Sequence, residues 1–146
     1  PERVEKLMLV DPCPVKGLVT PEEHYPVIEL YKTSRDMMKA ALGAMTPGMK
    51  DDAKLDRLVD GAFRMNLASF TEHPRALARF NYTGRCRNFK NKVLFVIGRK
   101  DTLITESMAK ESAAEFPNSE VRVIEGVGHS LMVEAPEEFV SFVKEL

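Results

Sequence analysis

Three short apolar runs constrain what this chain can fold into. They occupy residues 4–11, 93–97 and 121–124, and each is closed by a turn former: Pro12, Gly98, and the pair Gly126 and Gly128. Runs of this length suit strands covered on both faces, as in a parallel sheet. Between the second and third runs the sequence predicts one helix. Thr105 stands as its N-cap with Glu106 in the first turn, and Ala109, Ala113 and Phe116 form an apolar stripe that Pro117 ends. After the third run, Pro136 suits a first helical position. Phe139, Phe142, Val143 and Leu146 then follow the i, i+3, i+4, i+7 spacing of a helix lying on a sheet. Strand, helix, strand, helix at this spacing implies right-handed parallel crossovers.

The stretch from about residue 20 to 90 carries no strand signal. Val27, Leu30, Tyr31, Met38, Ala41, Leu42 and Met45 predict one face of a first helix, broken by Pro47 and Gly48. Leu55, Leu58, Val59, Ala62, Asn66 and Phe70 predict a second, with Asp51 and Asp52 as capping candidates. A short third helix is expected to begin at Pro74 and to carry Leu77 and Phe80. A plain crossover needs far fewer residues, so the insertion reads as a lid. Five of the 8 methionines (Met37, Met38, Met45, Met49, Met65) fall within it, where helix packing explains them more simply than contact with an apolar ligand. The expected organisation is an α/β core from residues 1–12 and 91–146, with a helical cap over 13–90.

Bulk properties narrow the function classes. The formal net charge of −1 gives no whole-molecule field to attract nucleic acid or anionic lipid. Arg85, Arg87, Lys90 and Lys92 around Phe89 therefore read as a solvated linker. Cys13 and Cys86 are too few for a disulfide framework and read as reduced thiols of a cytoplasmic protein. No apolar run approaches the roughly 20 residues of a membrane-spanning helix, and no charged-then-apolar leader opens the chain. The opening residues PERVEKLMLVDP read as the middle of a fold. No His, Cys, Asp or Glu grouping has zinc or iron spacing, and no glycine-rich phosphate motif precedes a helix, so no metal or cofactor is expected.

Open α/β sheets bind and react at the carboxyl ends of their strands. Two chemically capable residues fall there: Asp101, just past VLFVIG, and His129, just past VRVIEGVG. A carboxylate at one imidazole nitrogen fixes the tautomer that leaves the other nitrogen basic, and a base so held activates a hydroxyl nucleophile. Gly98 permits a tight exit toward Asp101, and Gly126 and Gly128 let the backbone carry His129 back over the same edge. Either residue alone would be ordinary turn chemistry; together, at matching strand ends, they are the candidate acid and base. Asp11, at the end of the first run, is the competing acid. His24 and His73 read as surface or helix-terminal histidines, and Glu134, Glu137 and Glu138 as acids meeting a helix N-terminus. Nucleophile elbows of the form G-x-S-x-G do not occur in the chain.

The segment KVLFVIGRKDTLITESMAKESAAEFPNSEVRVIEGVGHSLMVEAPEEFVSFVKEL resembles the end of α/β-hydrolase-fold enzymes with a helical cap. In that family G-x-x-D after a strand supplies the acid, and G-V-G-H followed by an E-x-P-E-x-F helix supplies the base. The opening VEKLMLVDP is similar to the family's sixth strand, and residues 12 to about 90 match the position of its cap. The resemblance implies an α/β fold with three parallel strands of a larger sheet, flanking helices and a cap. It implies the carboxyl-terminal segment of a cofactor-free hydrolase acting on an ester, thioester or related acyl substrate, with a small apolar acyl compound beneath the cap. Asp101 and His129 would be the catalytic pair, and the nucleophile would lie outside this chain, leaving the chain inactive alone. It also admits haloalkane dehalogenase or epoxide hydrolase chemistry on an upstream Asp, for which Tyr25, Tyr31 and Tyr82 would be cap donors, and a non-catalytic binding module on the same fold. An unpaired edge on the first strand leads to the expectation of self-association, or of pairing with an amino-terminal half.

Overall fold

Strand β2 (Lys92–Gly98) is the axis of the structure, a computed structural model that describes residues 2–146. It pairs in parallel with β1 (Lys6–Val10) on one side and β3 (Ser119–Ile124) on the other, giving the order β1-β2-β3. Leu9 lies opposite Phe95, and Phe95 opposite Val121. Side chains alternate across a strand. Leu94 and Val96 therefore face one layer, where they pack with Val127 and Leu131 and with Phe139 and Phe142 of the last helix. Val93 and Phe95 face the other and meet Ala113, while Ile97 meets Ile104 and Ala109. A strand walled on both faces has no use for polar alternation, which is why its sequence is one continuous apolar run.

The helices are α1 (Tyr25–Tyr31), α2 (Arg35–Met45), α3 (Asp52–Ala62), α4 (Ser69–Arg79), α5 (Glu106–Ala113), α6 (Leu131–Glu134) and α7 (Pro136–Glu145). Thr105 caps α5 by accepting from the Met108 amide, and Asp51 caps α3 by accepting from Lys54. Pro136 opens α7. The first four helices lie between β1 and β2 in the chain. Within them α2 and α3 pack together, each with one buried apolar residue, Met38 and Val59.

Three expectations for this helical segment need correction. The apolar face from Val27 to Met45 belongs to two helices, because Ser34 is extended and its Oγ accepts from the Met37 amide, starting α2 afresh. The face from Leu55 to Phe70 is also divided. α3 closes in tight turns in which Arg64 and Met65 bond back to Gly61 and Ala62, and α4 begins only at Ser69. Pro74 sits inside α4, where its missing N–H costs one helical bond. α4 begins after Ala68 with no side-chain cap, behind a turn in which the Asn66 side-chain oxygen accepts from the Ala68 amide.

Candidate catalytic site

The loops leaving β2 and β3 are joined by their backbones. Arg99 N–H bonds to Ile124 O and Lys100 N–H to Val127 O, both at 2.8 Å. The approach is so close that a Cβ at Gly98 would run into the carbonyl oxygens of Val127 and Gly128. Only glycine leaves room there.

This junction brings Asp101 and His129 together. Imidazole Nδ1 lies 2.8 Å from Asp101 Oδ2. Asp101 Oδ1 accepts the Leu103 amide at 2.7 Å and the Ile104 amide at 3.0 Å. Burial pushes the Asp101 carboxyl up, but the hydrogen bonds from His129, Ile104 and Leu103 outweigh it and hold the group below the usual carboxylate range. An ionised carboxylate can only accept, so Nδ1 carries a proton, and in the neutral ring Nε2 then holds the lone pair. The Asp101 bond in turn holds the His129 pKa above its ordinary value, against the effect of burial. The carboxylate side chain is wholly enclosed while the ring is 27% exposed, so the pair is buried at its acid end and open at its base end.

Asp11, the competing acid, lies nearby but is bonded differently. Its backbone is left-handed, at φ 43°, and its amide donates to Val96 O. Oδ1 accepts from the Gly98 amide at 3.2 Å, while Oδ2 is buried with no hydrogen-bond partner among the described residues. Burial and the neighbouring Asp101 charge push its pKa up to about 6. The imidazole bond goes to Asp101.

Sequence reasoning assigned Glu134 to a helix N-terminus and did not foresee its contacts with the histidine loop and with Gly48. Glu134 closes α6, and its carboxylate turns back on the histidine loop. Oε2 accepts the Gly128 amide at 2.9 Å and the Gly48 amide at 2.7 Å, and Oε1 accepts the Ser130 amide at 3.0 Å. The His129 amide itself donates to Met45 O, the last residue of α2, at 2.8 Å. Glu134 also lines a groove of about 310 Å³ with Gly48, Met49, Lys54, Val133 and Pro136. Its position just before a helix-opening proline pointed to helix-terminus chemistry; partners at residues 48, 128 and 130 leave no local trace. The other flagged residues lie elsewhere. His24 and His73 are exposed on the helical segment, Tyr25 lies against Arg75, and Tyr82 stacks on Phe80 beside Arg85. Among the described residues no group of three His, Cys, Asp or Glu side chains could hold a metal ion, and no helix is long and apolar enough to cross a membrane.

Comparison with known proteins identifies the family. The model of the alpha/beta hydrolase family matches residues 4–142. The chain belongs to the alpha/beta hydrolase family. Solved structures with the same fold include an esterase from Exiguobacterium antarcticum, at TM-score 0.77 and 19% identity, covering 97% of this chain and 57% of that one. A bromoperoxidase from Bacillus anthracis superimposes at TM-score 0.79 with 18% identity, covering 97% and 57%. The enol-lactonase from Burkholderia xenovorans does so at 0.78 with 15% identity, covering 99% and 56%. This alpha/beta hydrolase chain thus spans a little over half the length of those structures. No curated protein sequence matches it.

Proposed function

We propose that this chain is the acid-and-base portion of an alpha/beta hydrolase acting on an ester, thioester or related acyl substrate, with residues 13–90 forming a lid over the strand ends. The observation that carries the reading is the imidazole bonded through Nδ1 to a buried carboxylate, with the ring itself partly exposed. Asp101 holds the tautomer and stabilises the imidazolium that forms. His129 Nε2 takes the proton of a hydroxyl nucleophile as that oxygen bonds to the acyl carbon, then delivers it to the departing alcohol or thiol as the acyl bond breaks. Water attacks the acyl intermediate by the same exchange. The nucleophile is proposed to come from outside these residues, since the sequence carries no G-x-S-x-G elbow. An upstream Asp nucleophile could use the same pair, but an esterase and an enol-lactonase among the similar structures favour acyl chemistry.

Two measurements test the reading. The 146-residue chain alone should leave a short p-nitrophenyl ester untouched, because a base without its nucleophile and oxyanion donors retains little of a triad's rate enhancement. Preceded by a hydrolase half that carries an elbow, it should turn the ester over, and His129→Ala should lower kcat by about 10⁴-fold or more. Ester turnover by the chain alone, or an active joined protein indifferent to His129→Ala, would overturn it.

A further inference from the structure

A catalytic base works only as well as its loop is held, and the histidine loop is held from two sides. From below, Lys100 N–H bonds to Val127 O. From above come residues of the α2–α3 connection: Met45 O receives the His129 amide, and the Gly48 amide reaches the Glu134 carboxylate that also binds the amides on either side of His129. Contact is close enough that a Cβ at Gly48 would come within 2.8 Å of Glu134 Oε2 and 2.9 Å of Gly126 O. A Cβ at Gly128 would likewise strike Met45 O and the Pro47 ring.

We propose that Glu134 is a positioning residue that clamps the His129 loop to the α2–α3 connection of the lid, so that the position of the lid sets the position of the base. The mechanism above does not use this carboxylate. Its three acceptor bonds go to backbone amides of two chain segments, and such bonds to a charged oxygen are stronger than neutral ones. Substrate entry that lifts the connection would pull on Gly48 and Met45, and through them on both flanks of His129. The role as a positioning residue rests on His129 being the base; the mechanical link does not.

The test uses the 146-residue chain and needs no substrate. In Glu134→Gln, hydrogen exchange at the Gly48, Gly128 and Ser130 amides should quicken by about tenfold or more. The low-field resonance of the His129 Nδ1 proton shared with Asp101 should shift or broaden; the Glu134 charge also acts on His129 directly, so the variant that separates a clamp from a lost charge is one that keeps the carboxylate. Gly48→Ala displaces the connection from the lid side with Glu134 still in place, and it should move the same His129 resonance; it also serves if Glu134→Gln does not fold. A His129 resonance unmoved in whichever of these variants folds would overturn the clamp. Loss of the catalytic reading would not, because it would leave these spectral changes intact while the joined enzyme proved indifferent to His129→Ala.

Discussion

Asp11 and Asp101 are buried carboxyls at the ends of neighbouring strands, yet their affinities for protons move in opposite directions. Both Asp101 oxygens accept well-formed hydrogen bonds, whereas for Asp11 burial outweighs the backbone amides near it. The folded chain holds the Asp11 proton more tightly than the unfolded one. The stability this confers is present below pH 3.8 and is lost as pH rises to about 6. Asp11→Asn should remove that loss, making the variant more stable at pH 7 relative to pH 4 than the parent is, by up to about 3 kcal/mol. Asn also tolerates the left-handed backbone there. Denaturant unfolding of both chains at the two pH values checks this, and an identical pH dependence would refute it. Asp101 has the reverse sign: its contribution is present above pH 3.8 and lost as pH falls through its lowered folded value. The His129 contribution is present below pH 6.5 and lost as pH rises through its raised one. Asp101→Asn should therefore bring the His129 titration midpoint down toward 6.5 by NMR and cost about 1–3 kcal/mol at pH 7. The positions of Asp101 and His129 could be read from sequence because each follows a Gly-closed apolar run. The opposite behaviour of the two acids could not, since it depends on which amides happen to face each oxygen.

At the level of elements, the strands were legible and the helices between them only partly so. β2 is enclosed on both faces, and its burial is written into every residue from Val93 to Ile97. Helices α1 and α2 show how a capping residue overrides periodicity, for Ser34 divides a face that spacing alone would continue. Ser34→Ala should thus cost about 1 kcal/mol, read by thermal or denaturant unfolding. A larger effect belongs to the junction of the β2 and β3 exits. Gly98→Ala drives a methyl into two backbone oxygens that cannot move independently of the sheet, and it should cost about 1–3 kcal/mol or more. It should also disturb the His129–Asp101 resonance. An alanine variant as stable as the parent, with that resonance unchanged, would show that the two loops sit further apart than described.

For the molecule as a whole, β1 presents its outer edge without a strand partner among the described residues, and Val27 and Leu30 of α1 are 40% and 50% exposed. A free edge is a template for pairing. We expect the isolated chain to associate at micromolar concentration in sedimentation, and a monodisperse monomer would count against that. The arrangement of the sheet has a further consequence, for the order in which the molecule assembles. Phe95 reaches Val121 across one short helix, but Leu9 reaches Phe95 only after the whole helical segment has been looped out. That second loop is roughly three times as long, and closing it costs about 1 kcal/mol more entropy. The unit β2-α5-β3 should form early and β1 should dock late, so destabilising substitutions in β1 should speed unfolding while leaving the folding rate nearly unchanged.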